Sequence, residues 1–196
     1  MMDIMGTTTK RLRREERREQ ILAAATKAFA GSGYAGTSLD GIAAEAGITR
    51  VVLYRHFDSK ADLYRELLDR TCDLLEEHVP LPVADVGADT VDGLLAAAAE
   101  SSAGFRLLFQ HALREPEFQE RILRFRESLS EAAYREVVDL APEPALAGWA
   151  AQTAPAAVIE AVIAWLDAGQ PDPGHAADRI RLVVQGVLDA AVAVEG

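Results

Sequence analysis

Residues 37–60 read TSLDGIAAEAGITRVVLYRHFDSK, and the fold turns on how that run divides. Thr37-Ser38-Leu39-Asp40 has the pattern of a capping box, a hydroxyl at a helix start with a carboxylate three residues on. It opens a short helix that carries Leu39, Ile42 and Ala43 inward. Gly47 ends that helix, because glycine takes the positive φ of a helix stop without steric cost. Another helix begins near Thr49 and buries Val52 or Leu53 together with Phe57, while Ile48 plugs the angle between the two. A helix closed by Ala46-Gly47-Ile48 and followed at once by a second has the spacing of a helix-turn-helix. The second helix of such a pair is slim enough for a DNA major groove, with its N-terminal residues at the base edges.

Outward from this run the pattern stays helical. Upstream, Ile21, Leu22, Ala25, Ala28 and Phe29 repeat at helical spacing, giving a helix from about Arg13 to Ala30 that Gly31 and Gly33 stop. Before it lies a stretch without periodicity, expected to be a flexible basic arm over residues 1–12. Lys10 to Arg18 is a dense basic run, which reads either as the solvated face of the first helix or as an arm meeting the DNA backbone or minor groove. Downstream, Ser59-Lys60-Ala61-Asp62 is a second capping box, ahead of Leu63, Leu67, Leu68, Leu74 and Leu75. Beyond Pro80-Leu81-Pro82, helices are expected near Thr90–Ala99, Ser102–Arg114, Glu117–Leu140, Pro144–Ala168 and Gly174–Val194, with Pro155 bending or dividing the fourth. Not one convincing strand is present, so the fold class is all-α.

Composition bounds the rest. The chain has 196 residues, 49% hydrophobic and 26% charged, as in ordinary globular proteins. Its net charge of −11 is unevenly placed: residues 1–70 hold 12 Lys+Arg against 10 Asp+Glu, and the remainder 8 against 21. Nucleic-acid binding depends on local rather than total charge, so the asymmetry points to two parts with different tasks. No uninterrupted apolar stretch of about 18 residues argues for a membrane span, and no signal-type segment opens the chain, so the expected compartment is the cytoplasm.

Enzymatic and metal chemistry lack a constellation. Gly31-Ser-Gly-Tyr-Ala-Gly36 formally matches G-x-G-x-x-G, but a dinucleotide site needs that loop between a strand and a helix. The four histidines, His56, His78, His111 and His175, show no metal-ligand spacing, and Cys72 is the single cysteine. No cofactor, metal or catalytic role is therefore expected.

Residues Ile21 to Leu63 resemble the DNA-binding domain of the TetR (tetracycline-repressor-like) family. The matching elements are Ile21-Leu-Ala-Ala-Ala with Phe29, Gly33-Tyr34, Thr37-Ser38-Leu39 with Ile42-Ala43, Ala46-Gly47-Ile48-Thr49-Arg50, Leu53-Tyr54-Arg55-His56-Phe57, and Ser59-Lys60 with Leu63. The resemblance implies a three-helix DNA-binding domain over 13–58 and a helical ligand-binding and dimerisation domain over 59–196. It implies a homodimer on a palindromic operator, most simply a repressor released by a small-molecule effector. Thr37 or Ser38, Tyr54 and His56 would reach phosphates.

Thr49 would cap the recognition helix or touch base or phosphate, and Arg50 is the candidate for a bidentate guanine contact. Lys60, in the first turn of the next helix, would favour a phosphate. Val51-Val52 departs from the family's small residue at that place: the pair reads thymine methyls, or one valine fills the core. Candidate pocket residues are Phe105, Leu108, Phe109, His111, Phe125, Tyr134 and Trp149. The family's dimer interface maps onto Ala157, Ile159, Val162, Trp165, Leu182, Val183, Gly186 and Val187.

Overall fold

The computed structural model describes residues 4–193 and is helical throughout, with no strand among the described residues. Two compact units divide between Arg70 and Thr71, inside a helix, rather than at residue 58. The reason lies in the sequence of that helix, whose Leu63, Tyr64 and Leu67 are all buried.

The first unit holds α1 (Ile4–Gly36), α2 (Leu39–Glu45), α3 (Arg50–Tyr54) and the opening of α4 (Lys60–His78). Of the arm expected over 1–12, residues 1–3 lie outside the described residues, and the backbone is already helical from Ile4. Gly33 breaks α1 with φ 68°, as a helix-stopping glycine should. Ile21, Ala25, Phe29, Ile42, Leu53, Phe57 and Leu63 form the core, and Phe29 meets Tyr64 edge-on at 4.8 Å between ring centres. Arg18 lies across this core: its guanidinium is 4.2 Å from the Phe57 ring centre, pairs with Glu66, and donates to the His56 carbonyl at 2.6 Å. One member of the basic run is thus a structural tie.

Two capping expectations shift by a residue. The N-cap of α2 is Ser38, whose hydroxyl accepts from the Gly41 N–H at 3.0 Å. Thr37 is only 7% exposed, and its hydroxyl is directed at the Gly33 carbonyl (2.7 Å) and the Ala28 carbonyl (3.1 Å) of α1. At α4, Ser59 accepts from the Asp62 N–H as expected, but the Asp62 carboxylate accepts from Asp58 rather than Ser59.

The second unit holds the rest of α4, then α5 (Ala88–Glu100), α6 (Ser102–Arg106), α7 (Glu120–Val137), α8 (Pro144–Asp167) and α9 (Ala176–Val192). A π-helical turn, Leu107–His111, and a 3-10 turn, Ala112–Arg114, continue α6 to the end anticipated for it. Alanines on α8 admit close packing with α7 and α9. Pro155 does not divide α8, which runs unbroken through it. In length and hydropathy α8 meets the minimum for a membrane span, but half of its apolar window is buried within the unit, as for a core helix.

Lys60 behaves unlike its expectation. Its ammonium donates to the carbonyls of Tyr34 (2.8 Å) and Thr37 (3.0 Å) and lies 4.3 Å from the Tyr34 ring centre. The lysine is turned back onto the frayed end of α1 and caps it, so its role as a phosphate contact is withdrawn. Lys60→Met keeps the stem and removes the charge. It should destabilise the first unit by about 1–3 kcal/mol, the usual worth of charge-assisted hydrogen bonds, in chemical denaturation. The salt dependence of any DNA affinity should stay as it is.

Candidate nucleic-acid interface

The turn between α2 and α3 sets the site. Gly47 takes φ 61°, its N–H donates to the Ala44 carbonyl (3.0 Å), and the Ile48 N–H donates to the Ala43 carbonyl (2.9 Å). That paired closure is a Schellman stop, which a residue with a Cβ strains at the glycine position. Thr49 follows as the N-cap of α3, its hydroxyl accepting from the Val52 N–H at 3.4 Å. Leu53 and Phe57 are buried, which turns the opposite side of α3 outward.

On that outward side are Thr49, Arg50, Val51 and Tyr54. Val51 is 64% exposed and Val52 half-buried, so the two valines divide the alternatives between them: one faces solvent, the other leans on the core. Neither is the main core residue of α3, which is Leu53. Tyr54, 42% exposed, accepts through its hydroxyl from Arg50 Nη2 at 3.2 Å. Arg50 Nη1 reaches both carboxylate oxygens of Asp40 on α2, at 2.9 and 3.2 Å. The guanidinium is 5.4 Å from the Tyr54 ring centre. The Tyr54 hydroxyl first, then the Asp40 charge, raise the arginine's pKa above its ordinary value.

His56 is half-buried, and its Nδ1 is enclosed without a hydrogen-bond partner among the described residues. Burial first, then the charges of Arg14, Arg18 and Arg17, push its pKa below the ordinary 6.5. It is therefore a neutral imidazole at pH 7, beside a group of arginines. Ser38, exposed at the start of α2, stays on the surface set, whereas Thr37 and Lys60 leave it.

The C-terminal candidates scatter. Phe105, Leu108, Phe109 and Phe125 are packed core, with Phe105–Phe109 at 4.7 Å and Phe109–Phe125 at 6.2 Å between ring centres. His111 is half-buried, while Tyr134 and Trp149 are exposed. The seven divide between core and surface, since large apolar side chains fill a core efficiently. Tyr134 alone of them borders an open groove of about 580 Å³ between α7 and α8, with Pro82, Glu127, Glu131, Arg135 and Gln152, which no feature of the sequence marked.

The interface set splits likewise. Ile159 and Val162 are buried inside the unit and are corrected to core. Trp165 is half-buried and donates its indole N–H to the Pro171 carbonyl at 2.8 Å. Leu182, Val183 and Gly186 are exposed on α9, with Val187 and, on α8, Ala157 half-exposed.

The profile of the bacterial regulatory proteins, tetR family, matches residues 21–67. The HTH-type transcriptional activator FasR of Mycolicibacterium smegmatis is 34% identical over 132 residues, 63% of this chain; the chain spans only 60% of that relative's length. The HTH-type transcriptional repressor SCO4008 of Streptomyces coelicolor is 30% identical over 152 residues, covering 69% of this chain and 79% of that one. A TetR-like transcriptional regulator from Rhodococcus sp. RHA1 has the same fold, with TM-score 0.68 at 22% identity over 86% of this chain and 93% of the other. The relatives are regulators of transcription rather than enzymes, and the matched residues contain the capped, glycine-closed α2–α3 pair. This chain belongs to the TetR family of DNA-binding transcriptional regulators.

Proposed function

We propose that the chain acts in the cytoplasm as a homodimer on a palindromic operator, as a repressor that a small molecule releases. The observation that carries the DNA-reading part is the outward face of α3: Thr49, Arg50, Val51 and Tyr54 converge there while Leu53 anchors the helix from behind. Arg50 supplies a guanine reader, Val51 a surface for a thymine methyl, and Thr49, Ser38, Tyr54 and His56 phosphate partners. Repression is the simpler sign, because occupying DNA suffices to block it, whereas activation needs a further contact.

Pairing follows from the same face. A five-residue helix reads few base pairs, so a two-fold dimer supplies the rest. The exposed α9 stripe of Leu182, Val183, Gly186 and Val187, beside Ala157 of α8, supports a helical dimer interface. For the effector, the groove sets Glu127 and Glu131 against one cation, Arg135, whose guanidinium is turned to the Glu131 and Val83 carbonyls, and with Tyr134 this favours a cation with an apolar body. Release requires that such a ligand bind the two dimer geometries unequally.

Selection from a random duplex pool should enrich a palindrome, and Arg50→Ala should relax one base position per half-site at a cost of about 1–3 kcal/mol. An equal loss on enriched and scrambled duplexes would remove the base-reading role. Leu182, 74% exposed, contributes little within one chain, so Leu182→Glu should keep the helical circular-dichroism spectrum and halve the mass in sedimentation, with the melting temperature falling only by what association adds. An unchanged mass places the interface elsewhere.

His56 gives a pH test. A phosphate beside it raises its pKa from the lowered value of the free protein, so DNA binding takes up protons. Affinity should then rise as pH falls from about 6.5 toward the lowered pKa, by at most about tenfold per pH unit per chain. His56→Gln should flatten that slope in fluorescence anisotropy titrations.

A further inference from the structure

We propose that Asp40 is a specificity-determining residue, holding Arg50 away from non-operator DNA and releasing it only to an acceptor pair of guanine type. The inference rests on the reading of α3 as the base-contacting helix, and it adds a residue from α2 that the reading does not use.

Among the described residues the Asp40 carboxylate pairs with Arg50 alone, which leaves it available for this task. The cap of α2 is made by Ser38 and Gly41, and the Asp40 carboxylate is exposed and directed at Arg50 across the inter-helix turn. Both of its oxygens approach Nη1, while Nη2 donates to Tyr54. A bidentate approach to guanine through Nη1 and Nη2 has to displace that carboxylate, so the ion pair is a competitor of the base contact, placed inside the protein.

The magnitudes make the competitor selective. An exposed pair of this kind shifts an equilibrium by up to about fivefold. A good bidentate guanine contact discriminates by about five- to 150-fold and wins the exchange. A phosphate of non-operator DNA offers no such margin. Non-specific affinity comes from cations that release counterions, and an arginine already neutralised by a carboxylate releases none. On the wrong sequence Arg50 therefore stays with Asp40.

The test is a double-mutant cycle of Asp40→Asn and Arg50→Ala in the full chain. It is read by anisotropy on a duplex enriched from a random pool and on its scrambled counterpart across a salt series. Asp40→Asn should tighten scrambled-duplex binding by about fivefold and steepen the slope of log K against log salt by about 0.9 per chain, the mark of one added phosphate contact. Binding to the enriched duplex should change less than about twofold, so the specificity ratio falls. In the Arg50→Ala background, Asp40→Asn should change neither slope. Equal tightening with and without Arg50 would reduce Asp40 to plain repulsion. Weakened binding to the enriched duplex, with the scrambled one unchanged, would make it an orienting residue; either result overturns the proposal. A wild-type chain that enriches no duplex at all defeats the DNA reading itself, at a stage before any variant is made.

Discussion

A helix of five residues does not hold itself together. Isolated helices shorter than about 12–15 residues are marginal in water, because the first turn fixes several dihedrals for one hydrogen bond. The recognition helix, Arg50–Tyr54, exists because Leu53 and Phe57 are buried and because Gly47 and Thr49 close one helix and open the next within three residues. Every functional statement about the outward face depends on that inward anchorage. The arrangement explains why the conspicuous residues of the segment are structural. Arg18 is drawn over Phe57, Thr37 is buried, and Lys60 is bound to carbonyls, all in support of the same small core.

The fold was legible where local chemistry alone decides it. Glycine at a positive φ, hydroxyls at helix starts and leucines at helical spacing are signals contained within a few residues, and Gly33, Gly47, Ser59 and the α4 leucines behave accordingly. The site was legible less evenly. Arg50, Val51 and Tyr54 are outside as expected, because a helix with one buried flank must expose the other. Lys60 and Thr37 differ from expectation because their partners lie at the C-terminal end of α1 and just beyond it, 23 and 26 residues away for Lys60, and no pattern in the primary structure announces a carbonyl left free by Gly33. Asp40 was misread as a cap for a similar reason: Ser38, one residue nearer the helix, took the role and left the carboxylate to Arg50.

In the second unit, type and place came apart. Alanine-rich helices and aromatic residues are packing material, and packing material serves equally inside a unit and between chains. Ile159 and Val162 went inside, Leu182 and Val183 outside, and helical spacing cannot separate those faces when both are apolar. The same ambiguity put three close-packed rings, Phe105, Phe109 and Phe125, among the pocket candidates. The groove with Glu127 and Glu131 escaped notice because its lining is charged and ordinary by composition.

The charge arithmetic changes once these contacts are counted. Residues 1–70 carry a surplus of two positive charges by sequence, yet Arg18, Arg50, Lys60 and Arg70 each answer an acid or a carbonyl of the same unit. Each arginine paired with an acid in this way, Arg18, Arg50 and Arg70, adds little generic attraction for DNA, since attraction of that kind scales with the number of phosphates neutralised. For a regulator this is an advantage as much as a cost. Genomes offer very many wrong sites, so what matters is the ratio between right and wrong binding. A protein raises that ratio by restraining its non-specific charge at least as effectively as by adding contacts to the right site. On this view the acidic residues among the helices of the first unit are part of the reading apparatus, and their placement beside particular arginines matters more than the net charge they leave behind.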